Sequence, residues 1–328
     1  MSEQDIEMHR NRLSYLSLAL AAVLALPASA VVTGPIPEPA QGPALQPDSE
    51  VSAAKAALEL IGGGAVLNSD FDGNGSSDIV WRNYTTGANT VWLLNGANFV
   101  SSVSLPSVSN LGWFIAATGD FNADGSVDIL WRNNLVQPGN TQQGLNSVWL
   151  MNGTTYVGSV SLPAQLDSNW RIRGAGDFNG DGSPDIVWRN FATGANVLWL
   201  MDGVILTSTV SLPAVGLDWV IYGSGDADYD NNGTPDIIWR NTKTGANSIW
   251  LMDGPAYSAS AILPAVSPNV GWEPNAFGDY SADGKPDIIW RNYTTGANTL
   301  WLLDGTTFVG SLALPAVGDR NWEMEGPR

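Results

Sequence analysis

The sequence contains no cysteine. Disulfides, thiolate metal sites, thiol catalysis and an N-terminal lipid-modified cysteine are therefore excluded. Its one histidine, His9, lies in a leader expected to be removed, so the mature chain is left with carboxylates, Lys, Tyr and Ser for any chemistry. Basic residues are scarce, 14 against 32 acidic ones, and the net charge is −18. Nucleic acid and anionic membrane surfaces are recognised through basic patches, so neither is an expected partner. After residue 26 no stretch approaches the roughly 20 apolar residues that a membrane span requires. Apolar positions at helical spacing are missing from the body of the chain as well.

The N-terminus reads as a signal peptide over 1–30. Arg10 and Arg12 precede the apolar run LSYLSLALAAVLAL (13–26), and PASA follows with Ala28 and Ala30 in an A-x-A cleavage pattern. The competing reading is an uncleaved anchor; export explains the short run and the cleavage pattern better, giving a secreted, periplasmic or extracellular protein. Residues 31–63 read as a Pro-rich linker with a short N-terminal segment, in which VSAAKAALEL (51–60) is compatible with a brief helix ended by GGG (62–64).

From residue 64 to 328 the chain is repetitive. Asp70, Asp120, Asp177, Asp228 and Asp279 open five copies of one unit, and WRNYTTGANT occurs identically at 81–90 and 290–299. Each copy runs through an Asp-rich loop, a D-I-V-W-R-N segment, a T-G-A-N turn, a V-W-L segment ending in N/D-G, a segment ending at L-P, and a Trp-containing segment. The segments are short, rich in β-branched and aromatic residues, and separated by Gly, Asn and Asp turns, which predicts strands. Four strands in about 50 residues describe a propeller blade, so the expectation is an all-β protein, a β-propeller of five four-stranded blades. All 15 tryptophans fall at three positions per repeat, which assigns them mainly to packing between blades. Asn321 and Trp322 begin a sixth copy of the Trp-containing segment, so the C-terminal strand is expected to close the ring on the first blade.

The five loops are the candidate site. Their side-chain positions are Asp70, Asp72, Asn74, Ser76 and Asp78 in the first; Asp120, Asn122, Asp124, Ser126 and Asp128 in the second; and Asp177, Asn179, Asp181, Ser183 and Asp185 in the third. The fourth has Asp228, Asp230, Asn232, Thr234 and Asp236, and the fifth Asp279, Ser281, Asp283, Lys285 and Asp287. Positions 1, 3, 5 and 9 offer oxygen side chains, position 7 offers its carbonyl, and a glycine at position 6 permits a sharp turn. Six to eight oxygen ligands suit Ca2+. The opening matches an EF-hand loop, but Trp81 stands where the bidentate Glu of that motif belongs, and strands rather than helices flank the loop. The pattern is a calcium hairpin; metal-free Asp/Gly turns are the alternative.

On these loops the chain resembles the FG-GAP/VCBS repeat family, related to the propeller of integrin α subunits, over roughly residues 64–328. The resemblance implies a calcium-supported propeller used in adhesion, protein interaction or carbohydrate binding outside the cell. It fixes neither an activity nor, since integrin propellers have seven blades, the blade number.

Three further groups stand out. Arg82, Arg132, Arg189, Arg240 and Arg291 each follow a strand Trp; they form either a ring that reads anions in the channel or buried stems paired with carboxylates and carbonyls. Tyr84, Phe191 and Tyr293, just before T-G-A-N turns, are candidate sugar-stacking platforms, with turn packing as the equal alternative. An insertion, LVQPGNTQ (135–142), replaces the tight turn of the second repeat and marks the face opposite the Asp-rich loops as the recognition face. The leading function is thus a secreted recognition module for an extracellular glycan or protein, not an enzyme. A propeller glycoside hydrolase or lyase needs non-repeated acids, and those are few: Asp167, Asp218, Glu273, Asp319, Glu323 and Glu325. A structural surface protein is the third reading.

Overall fold

The computed structural model describes residues 69–135, 141–225, 227–281 and 283–326. The expected signal peptide, linker and first five residues of the propeller lie outside these, as do residues 136–140 of the insertion. Twenty strands form five antiparallel four-stranded sheets, the five blades of a β-propeller. The first blade comprises β1 (Ile79–Asn83), β2 (Asn89–Asn95) and β3 (Asn98–Leu105). The second is β4 (Trp113–Gly119), β5 (Asp128–Asn133), β6 (Asn146–Asn152) and β7 (Thr155–Leu162). The third is β8 (Trp170–Gly176), β9 (Asp185–Asn190), β10 (Asn196–Asp202) and β11 (Ile205–Leu212). The fourth is β12 (Trp219–Gly223), β13 (Ile237–Asn241), β14 (Asn247–Asp253) and β15 (Ala256–Leu263). The fifth is β16 (Trp272–Gly278), β17 (Asp287–Asn292), β18 (Asn298–Asp304) and β19 (Thr307–Leu314), and β20 (Trp322–Gly326) follows.

Strand β20 joins the first blade, whose order is β20-β1-β2-β3. It is antiparallel to β1, with Trp322 opposite Asn83 and Glu323 opposite Arg82. The ring closes as the sequence suggested, by a C-terminal strand completing an N-terminal sheet. The strands β4, β8, β12, β16 and β20 touch one another in cyclic order and so form the innermost ring around the axis.

Alternation along the second strand of each blade builds the interface between blades. In β1, Ile79 and Trp81 point one way and Val80 and Arg82 the other. Val80 packs with Trp131 of the second blade, while Ile79 and Trp81 pack with Ile289 and Leu300 of the fifth. Each blade therefore presents an arginine to the next blade and a tryptophan to the previous one. The guanidiniums of Arg82, Arg132, Arg189, Arg240 and Arg291 lie 5.1, 4.7, 4.9, 5.2 and 5.0 Å from the ring centres of Trp131, Trp188, Trp239, Trp290 and Trp81. The last contact returns to the first blade, so the cation–π chain is cyclic. A second tryptophan in each blade supports the first; Trp188 and Trp199, for instance, have centroids 4.6 Å apart.

The arginines are fully buried, and their Nη donors go to backbone carbonyls and one amide. Arg189 donates to Gly194 O, Asn196 Oδ1, Val215 O and Gly216 O at 3.0–3.2 Å. This decides between the two readings of the arginine ring: the stems are packed and the forks hold turns, so they are not displayed to anions in a channel. The same bonds explain the wording of the repeat. Asn190 Oδ1 accepts the amides of Ala192 and Thr193, which closes the turn. Asn196, the last letter of T-G-A-N, receives Arg189 and donates to Pro213 O. Gly194 has φ +77° and its missing Cβ would fall 2.2 Å from Val215 O, so only glycine fits there.

Candidate metal centres and the opposite face

In the second to fifth blades the Asp-rich loop joins the innermost strand to the next strand outward, and in the first blade it leads into β1. At position 6, Gly75, Gly125, Gly182, Gly233 and Gly284 have φ between 83° and 88°, the left-handed turn that brings later residues back toward position 1. In the first loop, Asp70 accepts the amides of Gly73, Asn74 and Gly75. Asn74 Oδ1 accepts Ser76 N, and its amide donates to Leu94 O at 2.7 Å. Asp78 is fully buried; its two oxygens accept Phe71 N and Leu94 N, both at 2.8 Å. The ninth residue therefore ties the loop's start to the neighbouring hairpin, and the equivalent pair of bonds recurs at Asp128, Asp185 and Asp236. In the fifth loop Asp287 takes Ser281 N and Leu303 N, so its first bond has moved by one residue.

Burial pushes these ninth-position carboxyls up, against the pull of their backbone hydrogen bonds. Asp78, Asp185 and Asp236 rise to about 7, Asp128 to about 8 and Asp287 to about 6. Neighbouring loop aspartates add to the rise, which is the electrostatic signature of crowded negative charge.

Four of the loops fall into two geometries, and the fifth belongs to neither. Carboxylate oxygens of Asp70, Asp72 and Asp78 lie within 4.8 Å of one another, and so do those of Asp228, Asp230 and Asp236. Both loops have Asp at position 3 and Asn at position 5, and that Asn is anchored to the adjacent strand; Asn232 donates to Met252 O at 2.6 Å. The second and third loops reverse the order. There the position-3 amide, Asn122 or Asn179, donates to the position-5 carboxylate, Asp124 or Asp181, at 2.8 and 2.9 Å. In the fifth loop, Asp279 accepts Asp283 N and Gly284 N, and Lys285 reaches Asp304 at 2.6 Å instead of entering the loop. At position 7, the Ser76, Ser183 and Thr234 hydroxyls accept the glycine amide of the nearby N/D-G turn, so the carbonyl is what this residue can offer a cation. No sequence signal other than the D/N order at positions 3 and 5 separates the two classes.

These bonds place the loops and the N/D-G turns together on one face of the disc. The T-G-A-N turns and the L-P connections share the other, as Val108 N to Gly87 O at 2.8 Å shows. Tyr84, Phe191 and Tyr293 are half-buried on this second face, beside the innermost strands. Arg82 sits 5.1 Å from the centre of the Tyr84 ring, Arg171 5.2 Å from that of Phe191, and Arg291 5.3 Å from that of Tyr293. Tyr84 also lies against Phe114, centroids 5.0 Å apart. At the described end of the insertion, Gln142 Oε1 accepts Asn110 Nδ2 and Trp113 Nε1, which ties it back to the blade.

Among the described residues no helix is long and apolar enough to cross a membrane. The family model of the FG-GAP-like repeat matches residues 70–131 and 228–290, each stretch running from an Asp-rich loop to the strand tryptophan of the next unit. No curated protein matches the chain. Among solved structures, a chain of a nidogen/laminin complex is 13% identical with a TM-score of 0.39, covering 76% of this chain and 96% of that one. An auxiliary nutrient binding protein from Bacteroides ovatus is 10% identical with a TM-score of 0.42, covering 74% and 55%. At such values these likenesses say nothing of what this chain does. The loop spacing, the blade order and the two matched segments agree: the chain is a five-bladed β-propeller, two stretches of which match the FG-GAP-like repeat.

Proposed function

We propose that this propeller is an exported binding module, held in shape by Ca2+ in its Asp-rich loops and recognising an extracellular glycan or protein on the opposite face. The convergence of three carboxylates within 4.8 Å in each of two loops carries the metal part of the reading. Three like charges at that separation repel, and a hard dication offered only oxygen donors relieves them. The ligands would be the residues at positions 1, 3, 5 and 9 with the carbonyl of position 7. A carboxylate has about four lone-pair sites, so an aspartate that accepts two amides can still face an ion. Mg2+ suits these loops less, because it keeps its waters and seldom uses an all-protein cage.

The same architecture supports the division of labour between the faces. One face is given over to repeated metal loops, identical in purpose from blade to blade. The other carries the chemistry that differs between blades: the aromatic residues Tyr84, Phe191 and Tyr293 and the insertion in the second repeat. Recognition would follow those differences. A glycan and protein array probed with the chain in calcium and in chelator tests the reading. Retained partners in calcium that are lost in chelator support it; glycan turnover at catalytic rates would assign the chain to the hydrolases instead.

A further inference from the structure

The sequence holds five Asn-Gly pairs, all of them in the described residues: Asn74-Gly75, Asn95-Gly96, Asn152-Gly153, Asn179-Gly180 and Asn232-Gly233. In such a pair the glycine nitrogen can attack the preceding side-chain amide, because no Cβ hinders its approach. The attack needs two free groups, the asparagine side chain as electrophile and the glycine nitrogen as nucleophile. The fold decides which pair has both.

In the Asp-rich loops neither group is free. Gly75 N donates to Asp70 Oδ2 at 2.7 Å, Gly180 N to Asp177 Oδ1 at 2.8 Å and Gly233 N to Asp228 Oδ2 at 2.7 Å. The asparagine amides are engaged as well, Asn74 with Leu94 O, Asn179 with Asp181 and Asn232 with Met252 O. The other two pairs stand at the N/D-G turns of the first and second blades, where Asn95 and Asn152 are both exposed. There the glycine amide separates them. Gly96 N donates to the Ser76 hydroxyl at 3.0 Å, and Ser183 and Thr234 hold Gly203 and Gly254 in the same way. Gly153 N finds no acceptor among the described residues, and the Asn152 side chain makes no hydrogen bond among them either. In the fifth blade Asp304 takes the place of asparagine and is paired with Lys285. Asn152 pairs with Thr155, so two residues alone connect β6 to β7. A Cβ on Gly153 would lie 3.2 Å from Phe71 O, which sets this turn against the first Asp-rich loop.

We propose that Asn152-Gly153 is a site of spontaneous deamidation, through which the chain gains a carboxylate on its metal-loop face. Gly153 N gives its proton to hydroxide and bonds to Cγ of Asn152; the Cγ–Nδ2 bond breaks, and ammonia leaves with a proton from water. The cyclic imide then takes up one water at either carbonyl. Opening at Cγ restores the main chain and leaves aspartate. Opening at the backbone carbonyl leaves the main chain running through Cγ, one methylene longer, as isoaspartate. Either product replaces a neutral amide by one negative charge. Aspartate already stands at this position in the third, fourth and fifth blades, as Asp202, Asp253 and Asp304, so the turn accommodates that product. The isoaspartyl product lengthens the backbone of a two-residue turn that lies against the first loop.

The inference depends neither on a partner nor on metal in the loops. The full chain would be incubated in mildly alkaline buffer, sampled over weeks, digested and mapped by tandem mass spectrometry. Hydroxylamine, which cuts the cyclic imide, locates it between residues 152 and 153. A hydrogen bond that the nucleophile must first give up slows attack roughly fivefold, so Asn152 should convert at least about fivefold faster than Asn95. The three loop asparagines, tied at both groups, should react more slowly still. In concentrated urea the turns are lost, and Asn95 and Asn152 should react at similar rates because both precede glycine. Ser76→Ala should release Gly96 N and raise the rate at Asn95 toward that at Asn152; if this variant unfolds, the urea comparison stands without it. An Asn152 that stays intact or reacts no faster than Asn95 in the folded chain overturns the proposal. So does a faster reaction at any loop asparagine, or an excess at Asn152 that persists in urea.

Discussion

Replacing Arg189 by alanine tests the interlock that holds the blades together. The guanidinium donates four hydrogen bonds, to Gly194 O, Asn196 Oδ1, Val215 O and Gly216 O. Two of these acceptors keep another partner, because Val215 N donates to Gly194 O and Trp219 N to Gly216 O. Asn196 Oδ1 and Val215 O are the acceptors that the substitution deprives. Leaving a buried acceptor unpaired costs about 1–3 kcal/mol each. A desolvated cation–π contact, here to Trp239 at 4.9 Å, adds up to about 2 kcal/mol. The desolvation cost of the charge itself is recovered, so the net loss should be about 4 kcal/mol. That is a large part of the roughly 5–15 kcal/mol by which domains are stable. Arg189→Lys should cost less but not nothing, since one ammonium cannot span the fork. Urea unfolding in excess calcium, with the slope compared between variants, gives the number directly. A loss below about 1 kcal/mol for Arg189→Ala would refute the claim that the arginine ring clamps the blades.

Two smaller perturbations probe the frame. Ala123 has φ 57°, a left-handed conformation in which an L-residue is strained, so Ala123→Gly should stabilise the chain by up to about 1 kcal/mol. An equal or lower urea midpoint would count against that backbone assignment. Deleting residues 320–328 removes β20 and bares the inner edge of β1, which should lower the melting midpoint and promote aggregation. A truncated chain that remains monomeric and equally stable would mean that β20 does not close the ring. The ninth-position aspartates set a pH dependence. Their folded-state pKa values of about 6 to 8 lie above the ordinary carboxyl value of 3.8. In chelator the folded chain retains protons that the unfolded chain has given up, so this stability is complete below pH ~4 and lost as pH rises through about 6–8. Urea midpoints in chelator should fall across that window; a rise would reverse the sign of the argument.

Much of the architecture was legible because it is repeated. Five Asp-rich loops and five W-R-N strands give five blades, and the sixth Trp-containing segment pointed to β20 as the closing strand. Alternation placed Trp81 and Arg82 on opposite faces, but it could not say that the arginine reaches the next blade's tryptophan. That contact depends on how sheets pack, which no local pattern encodes. The Asp, Asn and Ser positions of the loops were readable from oxygen-ligand spacing. The burial of Asp78 and its equivalents was not, since the amides they accept come from Phe71 and from Leu94 in another strand. Tyr84, Phe191 and Tyr293 were found by their place before the turns; Arg82 and Arg291 lie two residues before Tyr84 and Tyr293, whereas the Arg171 guanidinium beside Phe191 is brought there by the pairing of β8 with β9.

The central claim is that the Asp-rich loops hold Ca2+ and that the fold depends on it. Its most direct test is the melting midpoint of the full chain in excess calcium against the midpoint in chelator. A site filled at 100 times its dissociation constant stabilises by about 2.7 kcal/mol. The two loops with converged carboxylates would then contribute about 5 kcal/mol, which for a domain of this size is a rise of about 10 °C or more. The account predicts at least that rise in calcium; identical midpoints in calcium and chelator would contradict it.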